Sequence, residues 1–289
     1  MKLTQKIVAL TGIVAIAATP LFAGTGKTFK ETVVVEEEAT PWYSATLSTG
    51  YDSLYMFRGA NLLGSGKYGD SLYWTNLAFT WNITENDSLT FAGWQAFGLG
   101  DGAYGGSYKE FDGSVAYAHS IDALTLGLGY TFYFIYPSAG NNYANELNAS
   151  AAYELDLGFM SLTPSVTYFF NLGPDFENFT DGTGSVATAS SFLNLKLAGG
   201  IPVYKEIVSL APYSALNINF GYNQTANQSG GYNTFDGLNN WEIGLAMPIA
   251  VNDIITITGY VAYSYAFENL WGTTQPSTFW GGGNIAFTF

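Results

Sequence analysis

From Trp42 to the end of the 289-residue chain, charge is confined to one phase of an alternating pattern. Nine charged residues fall inside the alternating segments away from their starts: Asp52, Arg58, Glu110, Asp112, Glu146, Glu154, Asp156, Lys196 and Glu242. All nine sit in the phase opposite the aliphatic and aromatic one. That apolar phase runs Tyr43, Leu47, Tyr51, Tyr55, Phe57 in the first segment, Leu124 to Phe134 in the fifth and Ile255 to Phe267 in the eleventh. Successive side chains of a strand point to opposite faces, so each segment has one greasy face and one polar face. A Lys or Arg facing lipid at mid-membrane costs roughly 2–4 kcal/mol, which is a physical reason for the sorting. The pattern predicts an all-β transmembrane fold: an antiparallel up-and-down β-barrel of about 12 strands, whose backbone polar groups are all paired within the ring.

The segments run near 42–58, 71–82, 88–98, 108–119, 124–136, 143–156, 160–171, 190–201, 208–221, 238–250, 254–267 and 278–289. Their connections alternate. Those at 83–87, 120–123, 157–159, 202–207 and 251–253 are tight, whereas those at 59–70, 99–107, 172–189, 222–237 and 268–277 are longer and rich in Gly, Asn, Ser and Asp; the connection at 137–142 fits least well, though it falls on the longer-loop side. Short turns on one side and long loops on the other predict periplasmic and external ends. Gln95 is the misfit, a polar residue in the lipid phase, which calls for a bulge or a shifted boundary. Trp42, Tyr73, Trp81, Tyr136, Tyr168 and Trp241 fall near segment ends, where interfacial girdles are expected.

The last segment, Thr278 to Phe289 (TFWGGGNIAFTF), ends on an aromatic residue after strict alternation. It resembles the closing strand of bacterial outer-membrane β-barrel proteins. That resemblance implies that Phe289 and the last strand address the chain to the barrel-assembly machinery. The closing strand must then pair with the first, since an open sheet edge in lipid is not tolerated.

The first residues support export. Lys2 and Lys6 precede an apolar run from Ile7 to Ala18 and small residues up to Ala23, the pattern of a cleaved signal peptide over 1–23. Residues 24–41 are charge-dense, with Glu36-Glu37-Glu38, and read as an acidic periplasmic tail before a barrel domain at 42–289. The signal carries two of the 9 Lys+Arg and none of the 23 Asp+Glu, which leaves the exported chain strongly acidic and argues against a nucleic-acid partner. Only 11% of residues are charged and 17% are aromatic, yet no apolar run after the signal is long enough for a membrane helix. A lipid-exposed barrel reconciles these facts, and it places the protein in the cell outer membrane with lipid as its partner.

Little here suggests chemistry. There is no Cys and one His, so thiol, zinc and haem sites are not expected, and no cofactor is called for. His119, followed by Ser120 and Asp122, raises a hydrolase reading, but its segment end lies at the periplasmic turn. The expectation is a non-enzyme with no catalytic residues. Ser53-Leu54-Tyr55-Met56-Phe57-Arg58-Gly59 resembles the Ser-x-Tyr-x-x-Arg-Gly signature of the uncharacterised Gcw_chp-type family of outer-membrane proteins, a resemblance that implies no activity.

About twelve strands lies between small filled barrels and wide porins. The polar phase, facing the lumen, is dominated by small residues, and its charges favour cations. This predicts a narrow porin-like passive channel for small solutes with cation preference. Arg58, Glu110, Asp112, Glu146 and Glu242 would form a constriction in the upper lumen, with Asp52, Glu154, Asp156 and Lys196 as further lumenal charges. Against an open bore stand Trp74, Trp94, Tyr133, Phe169, Phe192, Tyr213, Tyr260 and Trp280, all in the lumenal phase. The alternative is therefore a structural or adhesive barrel whose lumen is plugged.

Overall fold

The computed structural model describes residues 41–63, 71–99, 108–136, 143–172, 190–205, 207–226, 232–267 and 277–289. The sequence expectations for 1–40 fall outside them. Twelve long strands form one closed antiparallel ring: β1 (Tyr43–Asp52), β4 (Leu72–Asn82), β5 (Asp87–Gly98), β6 (Lys109–Ile121), β7 (Leu124–Tyr136), β8 (Tyr143–Tyr153), β10 (Ser161–Asn171), β11 (Ser191–Tyr204), β12 (Val208–Ala226), β13 (Tyr232–Ala250), β14 (Ile255–Ala266) and β15 (Thr278–Thr288). Two-residue pieces complete the set: β2 (Met56–Phe57) and β3 (Ala60–Asn61) pair only with each other, and β9 (Leu155–Asp156) continues β8 beyond Glu154.

Each long strand pairs with its sequence neighbour, and the ring closes between the last strand and the first. Thr46 faces Thr288 and Asp52 faces Gly282 across that seam, and Phe289 and Ala45 exchange both backbone hydrogen bonds at 2.8 and 3.0 Å. The terminal edge is thereby satisfied. Alternation places the greasy phase outside: Leu77, Phe79, Phe91, Leu128, Leu147, Ile243 and Val261 are exposed, as are Trp42, Tyr73, Trp81, Tyr168 and Trp241 near the ends. An apolar belt this continuous belongs in lipid, and the protein is an outer-membrane β-barrel.

Gln95 does face outward. β5 pairs with β4 and β6 without a register shift, so no bulge re-aims it, and Gln95 lies between Thr75 and Phe111 near the external end. Its amide is placed close to the interface, where a polar group is tolerated.

The main departure from the sequence reading lies at the first strand. Segment 42–58 is not one strand: β1 stops at Asp52, and Tyr55 and Phe57 are buried rather than lipid-facing. After Asp52 the chain turns into the lumen, and Met56–Phe57 and Ala60–Asn61 form a small hairpin around Arg58-Gly59. Both turn residues have positive φ, 50° at Arg58 and 84° at Gly59, the left-handed pair that a two-residue hairpin turn requires. A Cβ on Gly59 would come within 2.6 Å of the Asn240 side chain, so glycine is required there for space as well.

Candidate functional site

The inward hairpin divides the filling of the lumen into two halves. Tyr55, Phe57 and Leu63 pack with Leu72, Trp74, Trp94, Ala96, Tyr108, Tyr133 and Ala144 on the β4–β8 side of the wall, with Tyr108 just ahead of β6. Met56, with Leu54 against it, packs with Ala211, Tyr213, Ala246, Tyr260, Ala262 and Trp280 on the β12–β15 side. Odd positions face one wall and even positions the other, which is strand alternation with both faces buried. All eight aromatic residues assigned to the lumenal phase are buried, and they pack against this hairpin or beside its tip.

The hairpin reaches across the bore. Twelve strands at ~4.8 Å make a ring roughly 58 Å around, or roughly 18 Å across before strand tilt widens it. From Asp52 to Arg58 an extended chain covers roughly 20 Å at ~3.3 Å per residue, enough to bring Arg58 to the opposite wall. There Nη2 of Arg58 meets Oε2 of Glu146 on β8 at 2.6 Å, both side chains being nearly inaccessible to solvent. The guanidinium carbon lies 4.1 Å from the ring centroids of Phe169 and Tyr222, 4.7 Å from Phe57 and 5.4 Å from Phe192. Glu146 also accepts hydrogen bonds from Tyr222 at 2.8 Å and Tyr133 at 3.2 Å. A buried ion pair needs this kind of supporting shell to offset desolvation.

A bulge fixes the backbone of the tip. The pairing of β12 with β13 steps from Asn217↔Asn240 to Ile218↔Leu238, which leaves Asn239 as an extra residue and turns both asparagines into the interior. The Asn239 side-chain amide donates to the Arg58 backbone carbonyl at 2.8 Å and to Oδ1 of Asn240 at 2.8 Å, and Nδ2 of Asn240 donates to Oγ of Ser264 at 2.8 Å. At the root, Ser53 N–H donates to Gly281 C=O at 2.9 Å and Leu62 N–H to Tyr55 C=O at 2.9 Å.

The charges proposed for the constriction separate into three places. Arg58 and Glu146 form the tip pair. Glu110 accepts the Tyr55 and Tyr108 hydroxyls at 2.5 Å each, with Asp112 buried two residues along the same face of β6. Glu242 lies on another part of the wall, in register with Ala215, which is itself in register with Lys196; it accepts the Tyr213 hydroxyl at 2.5 Å, and the Lys196 ammonium lies 4.8 Å from the Tyr213 ring. Asp52 accepts the Tyr260 hydroxyl at 2.5 Å. Asp156 is exposed at the periplasmic rim and caps Gly158 N–H at 2.9 Å, and Glu154 sits at the break between β8 and β9. The sequence places Tyr133, Tyr213 and Tyr260 on the lumenal side without showing which carboxylates they meet, and it misplaces two other partners, Tyr55 on the lipid side and Tyr222 in an external loop.

His119 is placed by the same register on the outward face at the periplasmic end of β6. Its Nδ1 lies 2.8 Å from Asp87 Oδ1, while Ser120 turns to the other face beside Thr125. Serine and histidine therefore do not meet. Among the described residues no group of His, Cys, Asp and Glu could hold a metal ion.

Neither family models nor curated protein sequences match this chain. Solved structures do. An outer-membrane channel from Pseudomonas putida F1 superposes with a TM-score of 0.59 at 13% identity, covering 90% of this chain and 100% of that one. The NanC porin gives 0.50 at 12% identity, over 84% and 98% of the two chains. LpxR from Salmonella typhimurium gives 0.50 at 10% identity, over 84% and 99%. At these identities the likeness establishes the fold alone, an outer-membrane β-barrel. It also corrects the expectation of a non-enzyme: LpxR is an outer-membrane enzyme on this same fold, so neither the barrel nor the sparse chemistry of the sequence excludes catalysis.

Proposed function

We propose that this barrel is a narrow passive channel for small solutes with a preference for cations, and that the inward hairpin forms its constriction. The carrying observation is the lumenal charge: Asp52, Glu110, Asp112, Glu146 and Glu242 stand against Arg58 and Lys196 among the described wall and hairpin residues, and Arg58 is already engaged by Glu146. A low-dielectric bore focuses such a field and raises the local concentration of cations. Below the hairpin, the wall carries Ser44, Thr46, Ser48, Asn76, Ala118 and Ser120, small residues that retain partial solvent contact. Reversal potentials in a planar bilayer under a salt gradient test the reading: a cation-selective sign supports it, and an anion-selective sign rejects it.

The second reading, a structural or adhesive barrel, is favoured by the packing of the hairpin, which fills the described upper lumen with aromatic side chains. Absence of conductance, even with the hairpin removed, would favour it. The Gcw_chp-type resemblance fits either reading, since Ser53 to Gly59 comprises the root, one strand and the turn of the hairpin. A cleaved export signal at 1–23, a periplasmic tail at 24–41 and Phe289 as an assembly address belong to the same proposal.

A further inference from the structure

Arg58 lies in a slot whose walls are mostly not its own. Phe169, Phe192, Tyr222 and Glu146 come from β10, β11, β12 and β8, strands of the barrel wall; only Phe57 belongs to the hairpin. Two rings at 4.1 Å present π-faces to a delocalised cation, and a carboxylate at 2.6 Å supplies the counter-charge. Planar, weakly hydrated organic cations suit such a slot better than compact, strongly hydrated ions such as Na⁺.

Two features set this slot apart from a simple anchor. A buried ion pair can be replaced by packed apolar groups with little loss of stability, so anchoring alone does not call for a guanidinium. The occupant also sits on a costly backbone: Arg58 has φ 50° without being glycine, as its turn with Gly59 requires.

We infer that the slot formed by Phe169, Phe192, Tyr222 and Glu146 is a binding site for solutes bearing a guanidinium or a similar planar organic cation, and that Arg58 is its tethered occupant. A solute cation that takes the place of Arg58 releases the hairpin tip. The inference deepens the channel reading and rests on it for the identity of the solute, but the slot itself can be tested without any conductance.

The test is chemical rescue. In purified Arg58→Ala barrel in detergent micelles, guanidinium chloride at low millimolar concentration is expected to raise the unfolding temperature, whereas equal concentrations of NaCl or urea do not. The rise is expected to disappear in Arg58→Ala/Glu146→Gln. No rise with guanidinium, or an equal rise with NaCl, overturns the inference. Should Arg58→Ala fail to assemble, the otherwise wild-type barrel carrying Met56→Cys serves instead, since the chain has no other cysteine and the thiol would be buried beside the tip. Guanidinium at that concentration is expected to speed maleimide labelling several-fold over NaCl, and an unchanged rate overturns the inference. Rescue or faster labelling without any bilayer conductance would keep the slot and reject the channel. Conductance without either would do the reverse.

Discussion

Arg58 and Glu146 meet at 2.6 Å although they stand on opposite sides of a twelve-strand ring, one at the tip of a hairpin rooted in β1 and the other on β8. The contact is the far end of a strut that crosses the lumen. Removing one partner leaves a buried charge, which typically costs about 3–5 kcal/mol. Glu146→Ala is therefore expected to destabilise the barrel by that order, while Arg58→Met/Glu146→Leu recovers most of the loss. Urea unfolding in detergent micelles measures the cycle; additive losses would show that the pair is not coupled.

Gly59→Ala tests the fit of the turn. Its Cβ would lie 2.6 Å from Asn240 at a φ of 84°, so the tip must shift or the asparagines must give way. A loss of about 1–3 kcal/mol is expected, in line with the range for strained backbone positions. A neutral substitution would mean that the tip is not seated between Asn239 and Asn240.

The outward register predicts a contrast between neighbours. Leu77, midway along β4, faces lipid, and Asn76 faces the lumen. Leu77→Arg is expected to cost roughly 2–4 kcal/mol in lipid vesicles, and Asn76→Arg much less. Equal losses at the two positions would contradict the register.

Much of this architecture was legible before any coordinates. Period-two patterning and the sorting of charge identified all twelve strands, and the Phe289 segment closes the ring as expected, but β1 stops at Asp52 rather than 58, and β12 and β13 run to Ala226 and from Tyr232 into what was read as a loop at 222–237. The hairpin was not found, because Tyr55 and Phe57 continue the phase of Tyr51 and nothing in a period-two pattern separates lipid from a packed interior. One signal was present. Leu54-Tyr55-Met56-Phe57 is apolar at four consecutive positions, which marks a segment buried on both faces rather than a wall strand, and Arg58-Gly59 supplies the turn. Tyr108 stands only two residues from Glu110, but the other tyrosine partners of Glu110, Glu146 and Glu242 were not legible as partners, since Tyr55, Tyr133, Tyr213 and Tyr222 lie 13 to 76 residues away and meet them only through the barrel's register and the hairpin.

On the proposed reading the lumen conducts and the hairpin narrows it. Single-channel recording in planar bilayers under a salt gradient, on the intact barrel and on one whose residues 54–62 are replaced by a short Gly-Ser link, addresses it most directly. The expected result is a small cation-selective conductance that rises several-fold on excision and keeps its sign. A folded, heat-modifiable barrel that stays silent in both forms, or that selects anions, would contradict it.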